Sequence, residues 1–367
     1  MQIESRTIFK RFDINFALII LALNIIGLIN VYSATHDHGE FSRTFLMQVL
    51  WVVLGWLVFL ALSFVDYKFL SKLAIPFWIF NVVMLILVTF KGKTVYGAKR
   101  WLDLGFFAYQ PSETTKLAMV LILASILQKK NSIQGLGFRD LVVPLFFMAV
   151  PFLIIVKQPD LGTGMMLAAI AVSMIFFAKV RKGPLITAVV SIMIALPAAW
   201  TFALKPYQKD RVFTFLDPGR DPRGAGYNSI QSKIAVGSGE TFGKGFLKGT
   251  QAQFDFLPER HTDFIYSVLS EEHGFVGSVF TLVLFMVLFV MCIRIASNAR
   301  DKFGALLVIG FSSYIFWHMF VNIGMVCGLL PIVGVPLPLI SYGGTGMLSI
   351  MIGLGAISAV SYRRYLF

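Results

Sequence analysis

Four short polar clusters interrupt an otherwise apolar chain: Gln110-Pro111-Ser112-Glu113 with Lys116, Gln158-Pro159-Asp160-Leu161-Gly162, LPERHTDF from Leu257 to Phe264, and Ser341-Tyr342-Gly343-Gly344. Asp263 has the chemistry of a general base, because a carboxylate in dry surroundings has a pKa raised toward working pH and can take a proton from a hydroxyl. Glu259 competes for that role, and His261 either serves as base or orients the carboxylate. A plainer reading makes Asp263 a helix-start cap.

Glu113 and Lys116 lie three residues apart, which places them on one helix face. Two opposite charges in a membrane helix are costly, so function is the default reading and a purely structural pair the alternative. Asp160 either serves the same site or only complements its own helix dipole. Ahead of Gln110 lie Lys91, Lys93, Lys99, Arg100 and Trp101. They form either a phosphate grip, by the fork of arginine and the compact charge of lysine, or a solvated loop touching lipid headgroups.

The elements that must position these groups are membrane helices. The chain has 367 residues, 57% of them hydrophobic and only 14% charged, against about 25% charged in soluble domains. Its mean hydropathy is +0.77. That balance excludes a water-soluble enzyme and a disordered chain alike. Cys292 and Cys327 fall in separate apolar stretches, which argues against a disulfide framework or a cysteine zinc site.

Windows free of Asp, Glu, Lys and Arg run 14–36, 44–65, 73–90, 141–156, 161–178, 183–204, 273–293 and 303–362. A span needs about 20 apolar residues, so the first seven windows hold one helix each. The last is too long for one, and Pro331, Pro336 and Pro338 divide it into two spans around a buried re-entrant turn. A further span over Ser112–Gln128 is interrupted by Glu113 and Lys116. The expected fold is all-α and polytopic, with ten transmembrane helices in a single domain over 1–367. A long outer loop, about 205–262, joins spans seven and eight.

With the N-terminus inside, the short inner segments carry sixteen Lys and Arg and the short outer loops six. The positive-inside rule therefore puts both termini in the cytoplasm and all four clusters on the outer face. The net charge of +13 is membrane anchoring, and nucleic acid is an unnecessary partner. Three clusters place Pro near an expected helix start, which aims free N–H groups and positive dipole ends at an anion. The N-terminus lacks a cleavable-signal pattern, so the first span is expected to be retained.

Several look-alikes carry less. Gly239–Gly245 (GETFGKG) departs from a phosphate-binding loop in glycine spacing and ends in Gly where Ser or Thr is needed. His36-Asp37-His38 reads as a turn before a metal site, His318 as a packed core histidine, and Asp217 to Gly226 as turns shaping the long loop.

In their order, these motifs resemble the SEDS family of polytopic peptidoglycan polymerases over nearly the whole chain, from KRWLDLG at Lys99 to SYGG at Ser341. QPSE, QPDLGT, QSKIAVGSG, LPERHTDF and GLLPIVGVPLPLISYGG carry the resemblance; GSGE at Gly237, where a second Gly is usual, is a small departure. PERHTDF, GTQ and the short N-terminus are similar to the elongation branch of the family rather than the division branch. The resemblance implies β-1,4 polymerisation of lipid II at the outer face of the inner membrane. It implies Asp263 as catalytic residue, Glu113, Lys116 and Asp160 in the site, and Arg100, His261 and Ser341 as lesser candidates for substrate contact. It also implies a class B penicillin-binding protein as transpeptidase partner, other elongation-complex proteins, and a divalent cation such as Mg2+ as an open possibility without a ligand cluster of its own. A flippase for the same lipid and a membrane scaffold are the rival classes. A transporter would hold its charges near the midplane, and a scaffold has little reason to gather carboxylates on one side.

Overall fold

The structure is a computed structural model that describes residues 12–36, 41–95, 98–103, 105, 108–130, 134–203, 206–220 and 225–364. In chain order come α1 (Ile14–Thr35), α2 (Arg43–Phe64), α3 (Tyr67–Lys91), three short strands β1 (Lys93–Val95), β2 (Ala98–Asp103) and β3 (Ala108–Tyr109), then α4 (Pro111–Leu127), α5 (Phe138–Lys157), α6 (Leu161–Phe177) and α7 (Lys182–Ala198). After a π-helical turn follow α8 (Pro206–Leu216), α9 (Ala225–Ser238), α10 (Thr250–Gln253), α11 (Ile265–Ser297), α12 (Lys302–Val326) and α13 (Gly344–Arg363).

Among the described residues, eight helices are long and apolar enough to cross a membrane. The other two spans, α4 and α6, have 17 residues each. The nine helices expected from the charge-free windows and the interrupted tenth, α4, are therefore all present as helices. Short acidic and hydroxyl residues start several of them: Asp13, Ser42 and Asp301 accept from the N–H groups of Phe16, Phe45 and Gly304, satisfying donors that no helix carbonyl can reach.

Burial explains why α4 is hard to see in the sequence. All its residues except Thr114 and Ile126 are buried, so it never faces lipid and tolerates Glu113 and Lys116. It packs mainly on α3, while α13 packs mainly on α2. On the outer ring, apolar side chains such as Leu18, Val142 and Phe146 are exposed and face where lipid belongs. The re-entrant segment between α12 and α13 passes close beneath α1. A Cβ at Gly27 would stand 2.7 Å from Ile340 Cα, so only glycine permits the approach.

Contacts between loops sort into two sets, one per face. On one face, Leu136 N donates to Lys179 O at 2.9 Å, Arg363 to Phe64 O at 2.9 Å, and Lys68 lies 3.8 Å from Asp301. On the other, Arg260 Nε donates to Ala34 O at 2.7 Å and Tyr342 N to His261 O at 2.9 Å, and Arg100 pairs with Asp160. All four polar clusters belong to the second face.

Span eight is kinked at Gly274 (φ 66°, non-helical): the helix beyond the kink matches the charge-free window from 273, and the stretch before it, from Ile265, carries Glu271 and Glu272 buried against protein. Two local expectations need correction. The segment before α4 is a three-stranded antiparallel sheet, with Lys93 paired to Trp101 and Leu102 to Tyr109, where only a loop was expected. Of the three cluster prolines, Pro111 alone lies in a helix first turn; Pro159 precedes the N-cap Asp160, and Pro258 sits in turns ahead of α11. The long outer excursion, too long to be a passive connector, folds into α8, α9 and α10. Asp37 and His38, and Asp221 to Gly224, lie outside the described residues.

Candidate active site

A cavity of about 1100 Å³ opens between the polar clusters. The turns before α11 supply Glu259, Thr262 and Asp263, α4 supplies Glu113 and Lys116, and Arg43, Arg100 and Arg211 come from α2, β2 and α8. Apolar side chains, among them Trp51, Met166 and Ile332, line the rest. The composition suits a ligand that is partly anionic and partly lipid.

Asp263 sits just ahead of α11, its N–H bonded to Glu259 O at 3.1 Å. Burial, and then the nearby Glu259 carboxylate, push its pKa up to about 7. Glu259 accepts from the Thr262 hydroxyl at 3.0 Å, which orients it beside Asp263. Facing the pair is Gly334 of the re-entrant segment, at φ 73°; a Cβ there would stand 3.2 Å from Asp263 Oδ2.

The Glu113–Lys116 spacing does what the sequence suggests, with Nζ 2.6 Å from Oε1 and both residues buried. Two groups of α12 complete the arrangement. Tyr314 donates to Glu113 Oε2 at 2.9 Å, and His318 Nε2 lies 2.7 Å from Lys116 Nζ. The ammonium also stands 4.9 Å from the Tyr314 ring centre. The ammonium is thus flanked by a carboxylate, an imidazole and an aromatic face. His318, which reads in the sequence as a core histidine, is a partner of this pair and lines the cavity.

Asp160 caps its own helix and pairs with Arg100, without lining the cavity itself. Its carboxylate accepts from Thr163 N at 3.3 Å as the cap of α6, and its other oxygen lies 3.6 Å from Arg100 Nε. Arg100 also donates to Pro159 O, so β2 and the start of α6 hold each other, and Arg100 remains on the cavity wall.

Two candidates occupy supporting positions. The Ser341 hydroxyl donates to Thr262 O at 2.6 Å and accepts from Leu337 N at 2.8 Å, so it is committed to joining the re-entrant segment to the Asp263 turn. His261 is not among the lining residues: its carbonyl accepts from Tyr342 N, its ring rests 5.7 Å from the Tyr342 ring, and burial lowers its pKa. Gln48 of α2 holds the same segment, donating to Ser341 O at 3.1 Å and accepting from Gly343 N at 3.2 Å.

The GETFGKG segment wraps the kink of α11. Lys244 Nζ lies 2.6 Å from Glu271 Oε1, and Gly243 crosses so close to Glu272 that a Cβ would meet its carbonyl oxygen at 2.1 Å. Lys244 and Gly243 are thus committed to the protein rather than to a phosphate. Among the described residues no three of His, Cys, Asp and Glu gather in a metal-binding group. Two carboxylates, Asp263 and Glu259, do share the cavity; with Asp263 free to take a proton, Glu259 is the oxygen donor that would share a magnesium ion with phosphate oxygens and water.

Sequence reasoning did not single out Arg43, Arg211, Tyr314, Asn322 or Gly334. The arginines look like orientation charges. The other three sit in apolar stretches whose only signal is a polar or small residue where lipid would prefer none.

The family described as FTSW_RODA_SPOVE, cell cycle protein, matches residues 14–366. The chain is 38% identical to the peptidoglycan glycosyltransferase MrdB of Escherichia coli K12, covering 96% of this chain and 94% of that one. It is 31% identical to the peptidoglycan glycosyltransferase RodA of Treponema pallidum, over 96% and 98% of the two chains. A chain of a solved peptidoglycan synthase complex, described as coordinating polymerization and crosslinking, superposes with a TM-score of 0.83 at 29% identity, covering 97% of this chain and 99% of that one. The rod shape determining protein RodA of Thermus thermophilus superposes at 0.72 with 25% identity, covering 96% and 98%. Ten spans, the polar clusters on one face and these matches together place the chain in the SEDS family, that of the FtsW, RodA and SpoVE proteins.

Proposed function

We propose that this protein is a peptidoglycan glycosyltransferase that polymerises lipid II into glycan strands for cell elongation. The observation that carries the reading is one cavity holding a carboxylate of raised pKa, Asp263, together with three arginines from different elements. The names of the Escherichia coli and Treponema pallidum relatives support it.

Asp263 takes the proton from the acceptor sugar's 4-hydroxyl while that oxygen bonds to the donor's anomeric carbon. The donor's bond to undecaprenyl pyrophosphate breaks, and the electron pair leaves with the pyrophosphate. Arg43, Arg100 and Arg211 offset the charge that gathers there, and arginine suits phosphate because its fork can bind two oxygens at once. Trp51, Met166 and Ile332 give the lipid end an apolar wall. A magnesium ion held by Glu259 would neutralise pyrophosphate charge when bound.

The excess of Lys and Arg on the opposite face supports a cytoplasmic location for both termini and a periplasmic site at the inner membrane. The solved synthase complex supports a partner class B penicillin-binding protein, since this chain has no Ser–Lys acylation motif. Against the flippase reading, Glu113 and Lys116 fall in the first six residues of α4, near the face of the cavity rather than the midplane. The deciding experiment supplies labelled lipid II to the purified protein, alone and with its transpeptidase. Glycan strands are the expected product, and lipid II left unpolymerised in both cases rejects the reading.

A further inference from the structure

Asp263 does not hold its place through α11 alone. The Asn322 side-chain amide of α12 donates to Asp263 O at 2.8 Å and to Val335 O at 2.7 Å, tying the turn that carries the carboxylate to the re-entrant segment. Asn322 is fully buried, and its Oδ1 has no hydrogen-bond partner among the described residues. An unsatisfied buried acceptor costs stability, so the side chain is poorly explained as packing. Next to Val335, Gly334 leaves the space that the Asp263 carboxylate occupies.

One turn earlier on the same face of α12, His318 meets Lys116, and one turn before that Tyr314 meets Glu113. Residues 314, 318 and 322 form a single stripe. The stripe joins the ion pair of α4 to the backbone of Asp263. Lys116 bonds Glu113 and His318 and stands 4.9 Å from the Tyr314 ring centre, which ties it to α4 and α12.

We infer that His318 and Asn322 are positioning residues through which the Glu113–Lys116 pair fixes the α12 register, and with it the place of the Asp263 carboxylate against Gly334. The inference rests on the polymerase reading. Lys116 then acts on the reaction from a distance, as an anchor for α12, and the arginines contact the pyrophosphate.

The test measures kcat and KM for lipid II for purified wild type, Asn322→Ala, His318→Leu and His318→Gln, each checked for folding by thermal melting. Displacing a catalytic group by about 1 Å costs up to about a hundredfold. Asn322→Ala and His318→Leu are expected to lower kcat ten- to a hundredfold and to leave KM within about twofold. His318→Gln, which still offers Lys116 an acceptor, is expected to recover most of kcat. Folded Asn322→Ala and His318→Leu with wild-type kcat overturn the inference; so does a raised KM at unchanged kcat, which would mark substrate contacts. Where either variant fails to fold, Gly334→Ala tests the same wall from the loop, and normal kcat in that variant overturns it too. Wild type that makes no strands rejects the polymerase reading instead.

Discussion

Arg100 and Asp160 meet 3.6 Å apart, one from the short sheet before α4 and the other from the cap of α6. Asp160 is buried and Arg100 about one-third exposed, so the pair joins a fixed helix end to a side chain that still reaches the cavity. Asp160→Asn keeps a cap acceptor for Thr163 N and loses the charge, whereas Asp160→Ala loses both. Losing a cap costs about 1 kcal/mol. Thermal melting should therefore show Asp160→Ala clearly less stable than Asp160→Asn, and equal melting would remove the cap from the account.

Arg100→Ala is expected to raise KM for lipid II several-fold, because it deletes a phosphate contact on the wall. The defect should shrink at high salt, where wild-type binding itself weakens by screening. A variant with unchanged KM at low salt would make Arg100 a strut for α6 alone.

Asp263→Asn should cut polymerisation by about 10²–10⁴-fold, the range supplied by general bases. With a pKa of about 7, the wild-type rate should climb with pH up to that value and then level. Normal synthesis by Asp263→Asn would sink the mechanism, and the rate of Glu259→Gln would show whether the neighbour is the base.

The same shift has an opposite effect on stability. Asp263 is an acid whose pKa in the fold, about 7, exceeds its ordinary 3.8, so the fold favours its protonated form. Between those values the folded state binds more protons than the unfolded one, and stability falls as pH rises through the interval. Asp263→Asn escapes that loss. It should melt higher than wild type at pH 8 and alike near pH 4; a melting difference independent of pH would contradict the assignment.

Removing one member of the Glu113–Lys116 pair leaves a buried charge uncompensated, at a cost of about 3–5 kcal/mol. Glu113→Leu and Lys116→Met alone should both melt far below wild type. The double variant should regain much of the stability, since an apolar pair tolerates the same surroundings, and should remain inactive. Recovery of full polymerisation by the double variant would show that the charges serve only folding.

Topology can be read with cysteines. Cys327 is exposed and must first be replaced, whereas Cys292 is buried. In that background Lys248→Cys should react with an impermeant thiol reagent applied outside intact cells, and Lys129→Cys should not. Labelling at Lys129 from outside would invert the topology.

The sequence alone determined nine of the ten spans, because charge is so costly in hydrocarbon that its absence marks each helix; α4, interrupted by Glu113 and Lys116, was the harder tenth. It also determined that the four clusters share a face, since that follows from counting crossings, and that Glu113 meets Lys116, since helical spacing dictates it. Tertiary structure decided which groups surround Asp263 and how dry it is. Its raised pKa comes from burial among segments distant in the chain, including Gly334 and Asn322. Packing also turned Ser341 and His261 to holding the backbone, and brought His318 from the interior of an apolar helix to a lysine 202 positions earlier. Periodicity reports which side of a helix a residue occupies; it carries no information about which helix will lie opposite.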